Sequence, residues 1–110
     1  MNQEEYNRLL NWFNNTCIRF HKKTPRRSCD TVEIRSSFSN LNNMKEVIRL
    51  LNELNINPKP NERIQYWISV CGKKKLDILF DYFENDISPK RKQQREAYRR
   101  LENTKTFTVD

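Results

Sequence analysis

Residues 66–83 read YWISVCGKKKLDILFDYF, and the fold turns on how this stretch is parsed. Up to Val70 the pattern has a period of two. Ile64, Tyr66, Ile68 and Val70 fall on one side, Gln65, Trp67 and Ser69 on the other, as in a strand with one buried face. Gly72, the single glycine of the chain, ends the strand. Beyond Lys73, Lys74 and Lys75 the apolar positions Leu76, Leu79, Phe80 and Phe83 recur at helical spacing, which predicts a helix from Leu76 to about Glu84. A half-polar strand that passes straight into an amphipathic helix specifies a sheet backed by helices.

The flanking sequence extends the pattern in both directions. Upstream, Leu41 to Leu54 carries one stripe of Leu41, Met44, Val47, Ile48, Leu51 and Leu54, with Ser39 or Asn40 as its N-cap and Asn55-Ile56-Asn57-Pro58 as its stop. Pro58 to Cys71 then reads as a hairpin. An earlier hairpin joins Cys17–Lys23 to Thr31–Phe38 through Thr24-Pro25-Arg26-Arg27-Ser28. Its apolar face is Ile18, Phe20, Val32, Ile34 and Phe38, and its polar face includes Arg19, His21, Lys23, Glu33 and Arg35. Glu4 to Asn15 is a first helix, with Tyr6, Leu9, Leu10 and Phe13 on its apolar side. Downstream, Ser88-Pro89 opens a basic helix, SPKRKQQREAYRRL. The expected fold is α+β: one domain over residues 1–102, helix-strand-strand-helix-strand-strand and two closing helices, with residues 103–110 a tail that frays or adds an edge strand.

Composition narrows the partners. The chain has 110 residues, 21 Lys and Arg against 14 acids, and a net charge of +7. Such a surface attracts polyanions: nucleic acid first, an anionic membrane surface second, with a merely soluble basic protein as the plain alternative. Apolar residues make up only 35% of the chain, yet the aromatics sit in periodic runs, so a thin core rather than disorder is expected. Cys17, Cys29 and Cys71 form no paired motif, and the lone His21 completes no zinc set with them. Reduced thiols in an intracellular compartment (cytosol, nucleus or organelle matrix) are the expectation. No apolar run approaches the roughly 20 residues of a membrane span, the apolar face of the last helix is too thin for firm insertion, and the polar opening MNQEEY is unlike a signal peptide.

Three segments, MKEVIRLLNELNINPK (44–59), YWISVCGKKKLDILFDYF (66–83) and ISPKRKQ (87–93), together with the order of elements, resemble a single LAGLIDADG homing-endonuclease module. The resemblance spans about Glu5 to Leu101 and implies an αββαββα unit whose curved antiparallel sheet lies in the DNA major groove, followed here by an extra basic helix. It implies a nucleic-acid face of Arg19, His21, Lys23, Arg35, Lys59, Arg63 and Gln65, with Arg26 and Arg27 at the hairpin tip. Lys73, Lys74, Lys90, Arg91 and Lys92 would meet phosphates near helix starts, and Lys90 or Lys92 is the nearest match to the basic residue that assists catalysis in active members. DNA is the first target and RNA the second.

The signature itself is degenerate. Leu9 to Thr16 lies over it, and Asn15 stands where the family has its metal-binding acid. A neutral amide does not offset the charge around a hard divalent ion, so cutting is expected to be lost or severely weakened. No cofactor is expected, or Mg²⁺ if cleavage is retained. Leu9, Leu10, Trp12 and Phe13 are candidates for a homodimer seam, for a contact with a different protein, or for plain core. An active endonuclease with an unusual metal site and a structural subunit of a larger assembly are the alternative functions.

Overall fold

In the computed structural model, residues 1–21, 25, 31–63 and 65–109 are described, those from 101 onward by their backbone only. Among the described residues, four helices and four strands follow in the expected order: α1 (Gln3–Asn15), β1 (Cys17–His21), β2 (Thr31–Phe38), α2 (Leu41–Glu53), β3 (Lys59–Asn61), β4 (Tyr66–Cys71), α3 (Lys73–Tyr82) and α4 (Pro89–Val109). The strands form one antiparallel sheet in the order β1-β2-β4-β3. The basic turn that carries Lys23, Arg26 and Arg27 lies outside the described residues, as does Ile64.

Register assigns each strand residue to a face. Ile18, Ile34 and Val70 are neighbours across β1, β2 and β4; Phe20 pairs with Val32, and Ser36 with Ile68. This inner face packs under the helices. Ile18, Val32, Ile34, Ile68 and Val70 are buried against Leu9, Phe13, Met44, Leu50, Leu51, Leu76, Leu79 and Phe80. Each such side chain stabilises the fold by about 1.5–3 kcal/mol of transfer free energy. An aromatic cluster binds the helices to one another: Phe13 meets Phe80 edge-on at 5.3 Å and stacks on Phe83 at 5.7 Å, and Phe80 stacks on Tyr98 of α4 at 6.4 Å.

Helix ends follow local chemistry. Asn2 and Glu5 close a reciprocal capping box at the start of α1, with the Glu5 N–H donating to Asn2 Oδ1 at 2.8 Å and the Asn2 N–H to Glu5 Oε1 at 3.0 Å. Of the two candidate caps for α2, Asn40 serves, accepting from the Asn43 N–H at 2.8 Å. The end of α2 differs from expectation in cause. Asn55 adopts a left-handed φ of 62°, and the Ile56 and Asn55 N–H groups donate back to the Leu51 and Asn52 carbonyls at 2.9 and 3.0 Å. That is a Schellman stop with Asn in place of Gly, and it ends the helix before Pro58 is reached.

Two further boundaries are corrected. α3 begins at Lys73 rather than Leu76, so the lysine run is its first turn and not a lead-in. Gly72 permits this: at φ 109° it turns the chain while its N–H still donates to the Val32 carbonyl at 2.9 Å. The stretch from 103 onward adds no edge strand, since α4 runs on to Val109. Among the described residues no helix is long and apolar enough to cross a membrane.

Candidate nucleic-acid interface

The outer face of the sheet follows from the same register. Arg35 of β2 lies between Cys17 of β1 and Ser69 of β4; Glu33 lies between Arg19 and Cys71; Ser37, Trp67 and Asn61 form a further row, and Lys59 faces Ser69. Arg19, Arg35 and Lys59 are exposed, and His21 is half-buried. Arg63 and Gln65, in the link between β3 and β4, are exposed as well. Four expected contact residues, Arg19, His21, Arg35 and Lys59, thus share one surface, with Arg63 and Gln65 at its border.

A polar network occupies the centre of this face. Glu33 is only 7% exposed although it points away from the core. Its carboxylate accepts from Ser69 Oγ at 2.6 Å, meets His21 Nε2 at 3.0 Å, and lies 3.5 Å from Arg35 Nη2. Burial pushes the Glu33 carboxyl up, but the Ser69 and His21 hydrogen bonds and the Arg35 charge outweigh it, leaving the pKa below the usual glutamate value. The Arg35 guanidinium in turn lies 5.1 Å from the centroid of the Trp67 ring. Alternation had assigned Glu33 to the polar side; its burial, and the part played by Ser69 and Trp67, needed the register between β2 and β4.

The helix starts carry a second set of cations. Lys74 is exposed in the first turn of α3, where Lys73 is half-buried, and Lys90 and Lys92 are exposed in the first turn of α4. Arg91 is a correction. It is 0% exposed, and its Nε donates to the Phe13 carbonyl at 2.7 Å while Nη2 bonds the Thr16 carbonyl and Thr16 Oγ1. Its guanidinium also lies 5.4 Å from the Phe13 ring centroid. Arg91 therefore satisfies the open carbonyls at the end of α1, a place where the helix dipole favours a cation, and it is out of reach of a phosphate. Burial pushes its pKa down from the ordinary arginine value.

Of the alternatives for the apolar side of α1, plain core holds for Leu9 and Phe13. Leu9 and Phe13 are 0% exposed in the core of the single chain, and Leu10 and Trp12 pack partly buried against it. Trp12 spends its indole N–H on Ser36 Oγ at 2.9 Å. The exposed side of α1 is polar: Glu4, Asn7, Arg8, Asn11 and Asn15. Asn15 donates to the Asn11 carbonyl and side chain at 2.7 and 3.1 Å. It lines a groove between α1, β2 and α2 whose one lining carboxylate, Glu46, is paired with Arg8 at 2.8 Å. That donor set is amide and ion pair, which does not suit a hard divalent ion. Among the described residues no group of three or more His, Cys, Asp or Glu side chains gathers.

No family model matches the chain. Nor does any curated protein or solved structure match it significantly. The site is therefore read from its own geometry: a sheet face with basic side chains around a buried carboxylate, and two lysine-bearing helix starts.

Proposed function

We propose that this chain binds nucleic acid, duplex DNA foremost, through the outer face of its sheet, as a LAGLIDADG-like module that does not cleave. One observation carries the reading. Among the described strand residues, the outer face presents Arg19, Arg35 and Lys59 to solvent, and its single carboxylate, Glu33, is buried and already engaged. Such a face has cations available for phosphates and flat or forked side chains available for base edges. Lys74, Lys90 and Lys92 add phosphate contacts from helix starts, where side-chain charge and free N–H groups act together. The order of elements and the antiparallel sheet backed by helices are compatible with the LAGLIDADG-like unit. The Asn15-containing groove, whose lining carboxylate Glu46 is already paired with Arg8, supports the loss of cutting.

Binding of this kind releases counterions. With about six phosphates neutralised, affinity for a random duplex falls on the order of a thousandfold between low and moderately high salt. The test is a titration of labelled random duplex DNA across a salt series, run with and without Mg²⁺, with strand integrity read from the same samples. Steep salt dependence and intact strands are expected. Affinity that does not respond to salt contradicts the binding mode, and Mg²⁺-dependent strand breaks contradict the loss of cleavage.

A further inference from the structure

Among the exposed cations of the outer face, Arg35 stands apart because it is held from two sides. The Trp67 ring lies beneath its guanidinium at 5.1 Å, and Glu33 Oε2 holds Nη2 at 3.5 Å. Glu33 is itself fixed, by Ser69 at 2.6 Å and His21 at 3.0 Å, so the anchor does not drift. The residues across the ladder from Arg35 are small, Cys17 on one side and Ser69 on the other, and the Arg35 side chain remains 47% exposed. The result is a guanidinium placed over a ring and beside a fixed carboxylate, with about half of the side chain still open to solvent. Arg19 and Lys59 have no comparable restraint among the described residues.

From this geometry we infer that Arg35 is a specificity residue that reads guanine in the major groove of duplex DNA. The inference rests on the nucleic-acid reading above. A guanidinium fork fits phosphate as well as a base edge, but attraction to a phosphate scales with net charge, and Glu33 offsets much of that of Arg35. A base edge is best met by a pre-set pair of donors. Guanine offers two acceptors, O6 and N7, at the spacing of a guanidinium fork, while adenine places an N6 donor where O6 would be and meets the fork donor to donor. Trp67 and Glu33 hold the fork before DNA arrives, so little side-chain freedom is lost on contact. Arg19 and Lys59 take the flanking phosphates.

The experiment is selection of bound sequences from a randomised duplex pool, followed by affinities for the enriched duplex and its guanine-to-adenine substitution at fixed salt. The natural chain is expected to enrich guanine at a defined position and to prefer it by about tenfold or more. Arg35→Ala should bring that preference close to one. Arg35→Lys, which keeps the charge and loses the fork, should weaken the preference with an unchanged salt dependence. Trp67→Leu, which keeps Arg35 and removes its support, should weaken the preference severalfold. Retention of the guanine preference in Arg35→Ala overturns the inference, as does binding by the natural chain with no guanine enriched. Guanine preference confined to unpaired RNA also overturns it. Absence of binding to any pool at low salt removes the nucleic-acid reading itself, a distinct outcome.

Discussion

Replacing Arg91 by alanine separates structural from nucleic-acid roles in the basic segment that opens α4. Three consecutive cations, Lys90, Arg91 and Lys92, look alike in sequence, yet only the middle one is buried. Truncation removes donors from two carbonyls, those of Phe13 and Thr16, and from Thr16 Oγ1. A hydrogen bond to a charged donor contributes about 1.5–3 kcal/mol, and an acceptor left without a partner costs about 1–3 kcal/mol, a penalty that falls on the Thr16 carbonyl, since the Phe13 carbonyl keeps the Thr16 hydroxyl as a donor at 3.1 Å. These overlap rather than add, so a loss of about 3–5 kcal/mol is expected for the pair. Removing the cation over the Phe13 ring falls within that range. In a domain whose total stability is about 5–15 kcal/mol, this lowers the melting temperature by roughly 15–25 °C. Lys90→Ala and Lys92→Ala, at exposed positions, should change stability by less than about 0.5 kcal/mol and lower the salt dependence of DNA binding by about one unit of slope each. Urea unfolding followed by tryptophan fluorescence, beside the salt titration, measures both. A stable Arg91→Ala protein with a reduced salt slope would falsify the burial argument, since it would place the guanidinium on phosphate.

Other outcomes follow from particular geometries. Gly72→Ala should destabilise by about 1–2 kcal/mol, all of it backbone strain at φ 109°, because an added Cβ meets nothing within 4 Å; denaturant midpoints check this. At Asn55, with φ 62°, Asn55→Gly should be neutral or slightly stabilising and Asn55→Ala should cost about 1 kcal/mol, and equal midpoints for the two would remove the left-handed cap from the account. Glu33 has a depressed folded pKa, so its carboxylate adds stability that is present above the unfolded value and is lost as pH falls through the folded one. Glu33→Gln should therefore flatten the acid limb of the stability curve below about pH 4.5 while changing little of its slope near neutrality, as read from unfolding at a series of pH values.

Much of the architecture was legible because alternation and helical spacing are direct consequences of having one wet and one dry face. Val32, Ile34 and Val70 identify the inner face of the sheet, and Leu9, Phe13, Leu76 and Phe80 the inner faces of the helices, without knowledge of how strands pair. What escaped depended on contacts distant in sequence. Arg91 reads as one more cation in a basic run, and only its meeting with the end of α1, seventy-odd positions earlier, reveals a buried cap. Leu9 and Phe13 suit a dimer seam or a core equally well as a pattern; the core claims them once α3 and α4 supply Phe80, Phe83 and Tyr98. The stop of α2 fell where expected but is made by a left-handed asparagine rather than by Pro58, whereas the start of α3 was placed one turn late because the apolar spacing begins only at Leu76. Burial of Leu76, Leu79 and Phe80 outweighs the unfavourable charge of that first turn. Of the site, the cations were visible one by one, whereas the Glu33-centred network that orders them is a product of register.

The two tryptophans report on which side of the sheet meets DNA, because they lie on opposite sides of it. Trp67 is on the outer face beneath Arg35, and Trp12 is on the helix side, hydrogen-bonded to Ser36. Their indole N–H resonances can be followed separately as duplex DNA is added at low salt. The Trp67 signal is predicted to move with the titration while that of Trp12 holds its place. Movement of Trp12 with Trp67 unchanged, at DNA concentrations that saturate binding, would contradict the sheet face as the binding surface.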